Sequence, residues 1–177
     1  MHIQKHSTLL FQRKYALDLL EETGLLGCKP TSTIMEANVD LWFDSSHTLH
    51  DPGRYRRLIE KLIYLTVTGP DITFADWVLS RFMHQPREVY WTAALRILTY
   101  IKSSPEKSLL YKKYGHVCIC GYSDSGYAGD KKDRKFIIGY STFVGENLVN
   151  WRSKKQDVVS DQVQILNIEL WLILLAS

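Results

Sequence analysis

Residues 116–130 read HVCICGYSDSGYAGD, and this stretch decides whether the second half of the chain is helical or forms a sheet. Up to Tyr122 the pattern has a period of two, which is typical of a strand, and the residues from Gly126 onward favour turns. Runs of the same kind occur at 109–111, 136–144 and 148–151. The sequence therefore predicts three or four strands that follow one another as hairpins.

The residues upstream of 105 have a different pattern, in which apolar side chains recur with the 3.6-residue period of amphipathic helices. Four helices are predicted in order: residues 9–26, ending at Gly24 and Gly27; a helix capped by Asp51 that begins at Pro52; a helix from Gly69-Pro70 to about His84; and a helix between Pro86 and Pro105. Residues 29–52 lack periodicity and are predicted to form a loop, anchored by the apolar residues 41–43.

The composition is that of an ordinary globular protein, with 45% hydrophobic and 23% charged residues among 177. The 22 basic and 19 acidic residues leave a net charge of +3, which does not by itself indicate a nucleic-acid partner. The amino terminus lacks a secretory signal, and the most apolar run, residues 165–176, is too short to span a membrane. We therefore expect an intracellular protein, cytoplasmic or nuclear, with no membrane association.

The second half also carries a set of linked motifs. They are YSDSGYAGD at 122–130, DRK at 133–135, GY at 139–140 and WRSKKQDVV at 151–159. Together they resemble the opening of the RNase H domain in the pol polyproteins of copia-type LTR retrotransposons. Upstream, RKYALDLL at 13–20, YRRLIEKLIYL at 55–65 and PDI at 70–72 resemble the segment that joins the reverse transcriptase to that RNase H. The resemblance covers residues 11–160.

This resemblance implies an α/β (α+β) fold. Residues 1–105 would be the mostly helical C-terminal and connection segment of a reverse transcriptase, and residues 106–160 a partial RNase H-like domain with a truncated mixed sheet. Residues 161–177 depart from the family. Back-translated from the third base of Ser160, they are compatible with RSSADTEYRAMA, close to the family's RSSAEAEYRAMA, so we expect a frameshifted tail. An incomplete sheet would leave its first strand at an open edge, and marginal stability is expected.

Asp124 matches the aspartate that this family places on the first strand as a ligand of two divalent ions, Mg²⁺ or Mn²⁺. Without the resemblance, an aspartate there is more simply a strand-end or turn residue. Two cations that clamp a phosphodiester need several carboxylates at once. The family's second acid should fall at Asn167, and Glu169 would lie about 200° around a helix from that position. Asp124 is therefore expected to be a vestigial catalytic and metal ligand, with no ion bound.

The polymerase half has a similar gap, because the family's Tyr-x-Asp-Asp turn is missing and no Asp-Asp pair occurs in the chain. The expected function is that of a Pol remnant of a transposable element, a pseudogene product without catalytic activity. Two alternatives stay open. One is a module that binds RNA–DNA hybrid or single-stranded nucleic acid, and the other is a metal-dependent ribonuclease H completed by acids from a partner chain.

Two basic runs could meet the phosphates of a hybrid, although each could equally be a solvated turn. The candidate residues are Lys131, Lys132, Arg134, Arg152, Lys154 and Lys155. Several aromatic residues could stack on bases, but aromatics at helical spacing more often fill a core. They are Trp42, Trp77, Trp91, Trp151 and Tyr90.

The three cysteines do not predict a secreted disulfide framework, because their number is odd and two stand one residue apart. Cys118 and Cys120 point to the same face of one predicted strand and could suggest a metal site. No further Cys-x-x-Cys or paired histidines accompany them, so the expectation is that they pack in the core.

Overall fold

The computed structural model describes residues 7–37, 39, 41, 42, 46–126 and 137–155. The elements in chain order are β1 (Ser7–Phe11), α1 (Arg13–Glu22), α2 (Pro52–Leu65), a 3-10 turn (Pro70–Ile72), α3 (Thr73–Ser80), α4 (Glu88–Ile101), β2 (Ser108–Lys112), β3 (Ile119–Gly126), β4 (Ile137–Val144) and β5 (Asn147–Lys155). Helices together with two antiparallel sheets confirm the predicted α/β class. Of the helices described, none has the length and apolar character needed to cross a membrane.

The chain divides into two units, one ending at Tyr114 and the other beginning at Gly115. The strand β2, which follows the domain boundary predicted after residue 105, pairs with β1 inside the first unit. The predicted domain assignment itself stays a prediction.

Helix α2 begins as predicted, because Asp51 accepts a 3.0 Å hydrogen bond from the backbone N–H of Arg54 and Pro52 is the first helical residue. Its buried side chains continue the predicted stripe as far as Leu65. Ile63 has the same apolar character and is 46% exposed, because it lies beside that stripe. The core of the first unit is therefore built on the helix that the sequence identified most directly.

The first predicted helix begins later than expected. Residues 7–11 form a strand that pairs antiparallel with Ser108–Lys112, and α1 starts only at Arg13. The run Leu109-Leu110-Tyr111, predicted to join the hairpins of the second half, belongs to this two-stranded ribbon. Both predictions were wrong for the same reason, since the partner of each strand lies about a hundred residues away in the chain.

Helix α3 ends at Ser80, short of the predicted end near His84, and a 3-10 turn precedes it. The residues after it form turns in which Phe82 packs against the core. The Phe82 ring stacks on Tyr90 with centroids 4.0 Å apart and contacts Trp42 at 5.2 Å. Tyr90 is buried, and Trp42, Trp77 and Trp91 pack against the core, as expected for structural aromatics.

The second unit contains a three-stranded antiparallel sheet in the order β3-β4-β5, which confirms the predicted hairpins for these strands. Gly145 and Glu146, in the turn between β4 and β5, both have positive φ values, of 52° and 66°. Two such residues are typical of a type I′ hairpin turn. In the sheet as described β3 is an edge strand, and the marginal stability expected from that edge stays a prediction.

Candidate nucleic-acid and metal site

Asp124 lies near the end of β3 with an exposed side chain. Gly139 of β4 is directly opposite Asp124, and Ser153 of β5 is directly opposite Gly139. Residues paired in this way share one face of a sheet, so the row offers Asp124 no second carboxylate. Among the residues that the structure describes, no group of three or more His, Cys, Asp or Glu side chains could hold a metal ion. Asp124 is thus the one carboxylate of this row, and its expected role as a vestigial ligand stays a prediction.

The candidate cations Arg152 and Lys154 lie on the other face of the same sheet. Arg152 is opposite Tyr140 and Lys154 is opposite Ile138, so both alternate with Ser153 along β5. Both side chains are exposed. A ligand that lies flat on one face of the sheet can therefore contact Asp124 or these two cations, but not all three.

The remaining candidates fall outside the described part of the chain. Lys131, Lys132 and Arg134 belong to the segment between β3 and β4, and only the backbone of Lys155 is described, at the end of β5. Asn167, Glu169 and the whole of 161–177 are outside the description as well. Their expected roles, and the frameshifted tail, stay predictions.

Cys118 and Cys120 do share one face, as predicted, since their sulfur atoms are 3.8 Å apart. The expectation that they pack in a core was wrong, because both side chains are exposed. Cys118 precedes β3 and Cys120 lies at the beginning of that edge strand. Alternation along a strand predicts which side chains are neighbours, but burial depends on what covers them.

Asp71, Tyr100 and Lys107 form a polar cluster that the sequence did not predict. They line a cleft of about 350 Å³ in the first unit, together with apolar residues such as Leu65 and Ile72. Burial alone would raise the pKa of Asp71, but hydrogen bonds from Lys107 and then Tyr100 outweigh it and lower that pKa. The motif PDI contains Asp71, yet nothing local signals partners 29 and 36 residues away.

Asp76, on α3, is the second acid that the sequence analysis missed. Its side chain is buried, and Oδ1 has no hydrogen-bond partner among the described residues. Burial raises its pKa to about 7. A carboxyl group alone beneath the surface provides no metal site, and its effect is on stability.

Comparison with known proteins identifies relatives among transposon polyproteins. The chain is 38% identical over 147 residues to a retrovirus-related Pol polyprotein from transposon RE2 of Arabidopsis thaliana, which covers 83% of this chain and 10% of that protein. It is 33% identical over 162 residues to an uncharacterized mitochondrial protein of Arabidopsis thaliana, covering 90% of this chain and 67% of the relative. It is also 36% identical over 107 residues to secreted RxLR effector protein 161 of Plasmopara viticola, and this match covers 60% of this chain and 75% of the relative.

The chain thus spans about a tenth of the length of the RE2 polyprotein that it matches. No protein-family model matches the chain, and no solved structure is significantly similar to it.

Proposed function

The chain belongs to the retrovirus-related Pol polyprotein family of copia-type retrotransposons, and we propose that it has neither polymerase nor ribonuclease H activity of its own. In this proposal residues 11–160 correspond to the end of a reverse transcriptase and the beginning of its RNase H. Asp124 carries the proposal, because the position at which the family's second acid should fall is Asn167, and its own row across the sheet adds only Gly139 and Ser153. The absence of any Asp-Asp pair in the sequence supports the same conclusion for polymerase chemistry.

The test is cleavage of the RNA strand of a labelled RNA–DNA hybrid by the purified full chain, with Mg²⁺ and separately with Mn²⁺. The matched control is Asp124→Asn, which removes the one carboxylate of the row and leaves a side chain of nearly the same size. We expect no cleavage above the protein-free control from either protein.

Cleavage that disappears in Asp124→Asn would contradict the proposal, because it would mean that further acids complete the site. Cleavage that is equal in both proteins would indicate a contaminating nuclease, and the preparation would then be repeated until the two proteins and the blank agree. Primer extension on an RNA template tests the polymerase half in the same preparation, and incorporation of nucleotides would contradict it.

A second candidate function is binding of nucleic acid through one face of the sheet. The observation that favours it is the pair Arg152 and Lys154, which are both exposed and stand two residues apart on the face opposite Asp124. Cations at this spacing can contact phosphates of a hybrid or a single strand without any catalytic group nearby. Binding through this face needs no metal ion.

Fluorescence anisotropy with a labelled hybrid, measured across a salt series, tests this binding. The variant is Arg152→Gln with Lys154→Gln, and the matched control is Arg13→Gln with Lys14→Gln, which removes the same charge from exposed positions on α1. Removing one cation that meets a phosphate reduces the salt dependence of log K by about 0.9. We expect weaker binding and a shallower salt dependence in the first variant only, with Asp124→Asn unchanged. Equal weakening by both double variants would contradict a specific face.

A further inference from the structure

Two exposed thiols, Cys118 and Cys120, stand close together at the beginning of β3. Their sulfur atoms are 3.8 Å apart. A zinc–thiolate bond of about 2.3 Å sets the scale of such bonds, so two sulfurs that share one ion can be at most about 4.6 Å apart. Both sulfurs are therefore near enough to bond a single ion without any rearrangement of the backbone.

The backbone that carries these thiols is already fixed by hydrogen bonds. The N–H of Cys118 donates to Nδ1 of His116 at 3.3 Å, and its carbonyl accepts from the N–H of Gly145 at 2.9 Å. Cys120 is paired with Phe143 in the ladder between β3 and β4. Because the two residues are held before any ion arrives, little conformational entropy is lost when an ion binds.

His116 does not extend this pair to a third ligand. Its Nδ1 accepts the hydrogen bond from the N–H of Cys118, and its Nε2 lies 3.8 Å from Oε1 of Glu146. Within the described ranges no Cys, His, Asp or Glu joins the two thiols in a group of three. Among the residues that the structure describes, the site therefore supplies two sulfur donors.

The number and kind of donors limit which ion can bind. Structural Zn²⁺ takes four ligands, and Mg²⁺ and Ca²⁺ take oxygen ligands, so none of these fits two thiols. Soft thiolates select Cu(I), zinc and iron–sulfur clusters. Of these, Cu(I) is the one whose low coordination number suits two donors. The exposure of both sulfurs leaves the ion free to enter directly from solution.

The geometry points to a surface site for Cu(I) that is formed by the sulfur atoms of Cys118 and Cys120. Binding replaces two S–H bonds by two S–Cu bonds, releases two protons and leaves copper in the same oxidation state. Asp124 takes no part, and the site is independent of the proposed loss of nuclease activity.

The test is a titration of the full chain with Cu(I) under anaerobic conditions, with a non-thiol reductant and a coloured Cu(I) chelator as competitor. The variants are Cys118→Ser and Cys120→Ser, and the matched control is Cys28→Ser, which removes the thiol of the first unit. We expect one Cu(I) per chain for the wild type and for Cys28→Ser, and loss of that uptake in each of the other two variants. Zn²⁺ should not compete.

A second measurement needs no variant and so does not depend on how the variants fold. Alkylation of the wild type with and without Cu(I), read by peptide mass spectrometry, should show Cys118 and Cys120 protected and Cys28 still reactive. X-ray absorption should show two sulfur neighbours for copper. Uptake that persists in either serine variant, equal protection of all three cysteines, or a nitrogen neighbour from His116 would overturn the two-thiol site.

Discussion

The phenol of Tyr100 donates a 2.7 Å hydrogen bond to Oδ2 of Asp71 and thereby joins the last turn of α4 to the 3-10 turn that leads into α3. Lys107 donates to the same oxygen at 2.6 Å. One carboxylate oxygen thus connects three segments of the first unit. The side chain of Asp71 is only 24% exposed, so these bonds are partly shielded from water.

Tyr100→Phe should destabilise the first unit by about 1–2 kcal/mol, because it removes a hydrogen bond to a charged acceptor. It should also move the pKa of Asp71 back toward its ordinary value. A carboxyl with a lowered pKa contributes stability above its unfolded pKa of 3.8, and that contribution is lost as pH falls through the folded value. Urea unfolding from pH 2 to 7 should therefore show a smaller loss of stability on acidification in the variant than in the wild type, because the folded and unfolded pKa values of Asp71 then differ less. An equal loss of unfolding free energy on acidification in the two proteins would contradict this prediction.

Asp76 should affect stability in the opposite direction to Asp71 as the pH changes, and Asp76→Asn tests this. The pKa of Asp76 is about 7 in the folded chain against an ordinary 3.8, so the folded state loses stability as pH rises through this interval. The difference between these two pKa values corresponds to at most roughly 4 kcal/mol of unfolding free energy. Asparagine cannot ionise, so the variant should exceed the wild type in stability at pH 8 and lose that advantage near pH 4. A difference that does not change with pH would contradict the burial of an ionisable group.

Tyr55→Phe should cost about 1 kcal/mol of unfolding free energy. The fully buried Tyr55 donates a 2.7 Å hydrogen bond to the carbonyl of Leu79, which joins α2 to the end of α3. The cost stays moderate because the N–H of Phe82 also donates to that carbonyl at 3.0 Å. Urea denaturation followed by tryptophan fluorescence measures the effect. A variant as stable as the wild type would mean that the phenol makes no stabilising hydrogen bond to the Leu79 carbonyl.

Glu146→Asn should stabilise the second unit by a few tenths to about 1 kcal/mol, because asparagine tolerates positive φ better than glutamate does. The matched control is Glu146→Gln, which removes the same charge beside His116 and keeps the unfavourable residue type. Thermal unfolding followed by circular dichroism should show the gain for asparagine alone. An equal gain in both variants would assign the effect to charge.

Features that depend on neighbouring residues were predictable from the sequence. The cap of α2 is an example, because Asp51 bonds a residue three positions ahead and Pro52 sets the first turn. The same holds for the hairpin of β4 and β5, whose turn residues stand between two apolar runs. In each case the interacting groups lie within one turn or one loop of each other.

Features that depend on distant partners were not predictable in this way. Residues 7–11 are too few to show either a helical or a strand period, and only their pairing with Ser108–Lys112 decides between the two structures. The separation of Arg152 from Asp124 likewise requires the register of three strands, which no single stretch encodes. The exposure of Cys118 depends on which elements cover β3.

The ribbon of β1 and β2 has a consequence for how the first unit is made. A ribosome synthesises β1 first, yet its hydrogen-bonding partner leaves the exit tunnel only after Lys112 has been added. During that interval the strand that carries Leu9, Leu10 and Phe11 lacks its native neighbour. The helices between β1 and β2 can assemble before these two strands pair. Contact between segments so far apart slows folding. A nascent chain that stalls before residue 108 therefore leaves the backbone N–H and C=O groups of β1 without their native partners.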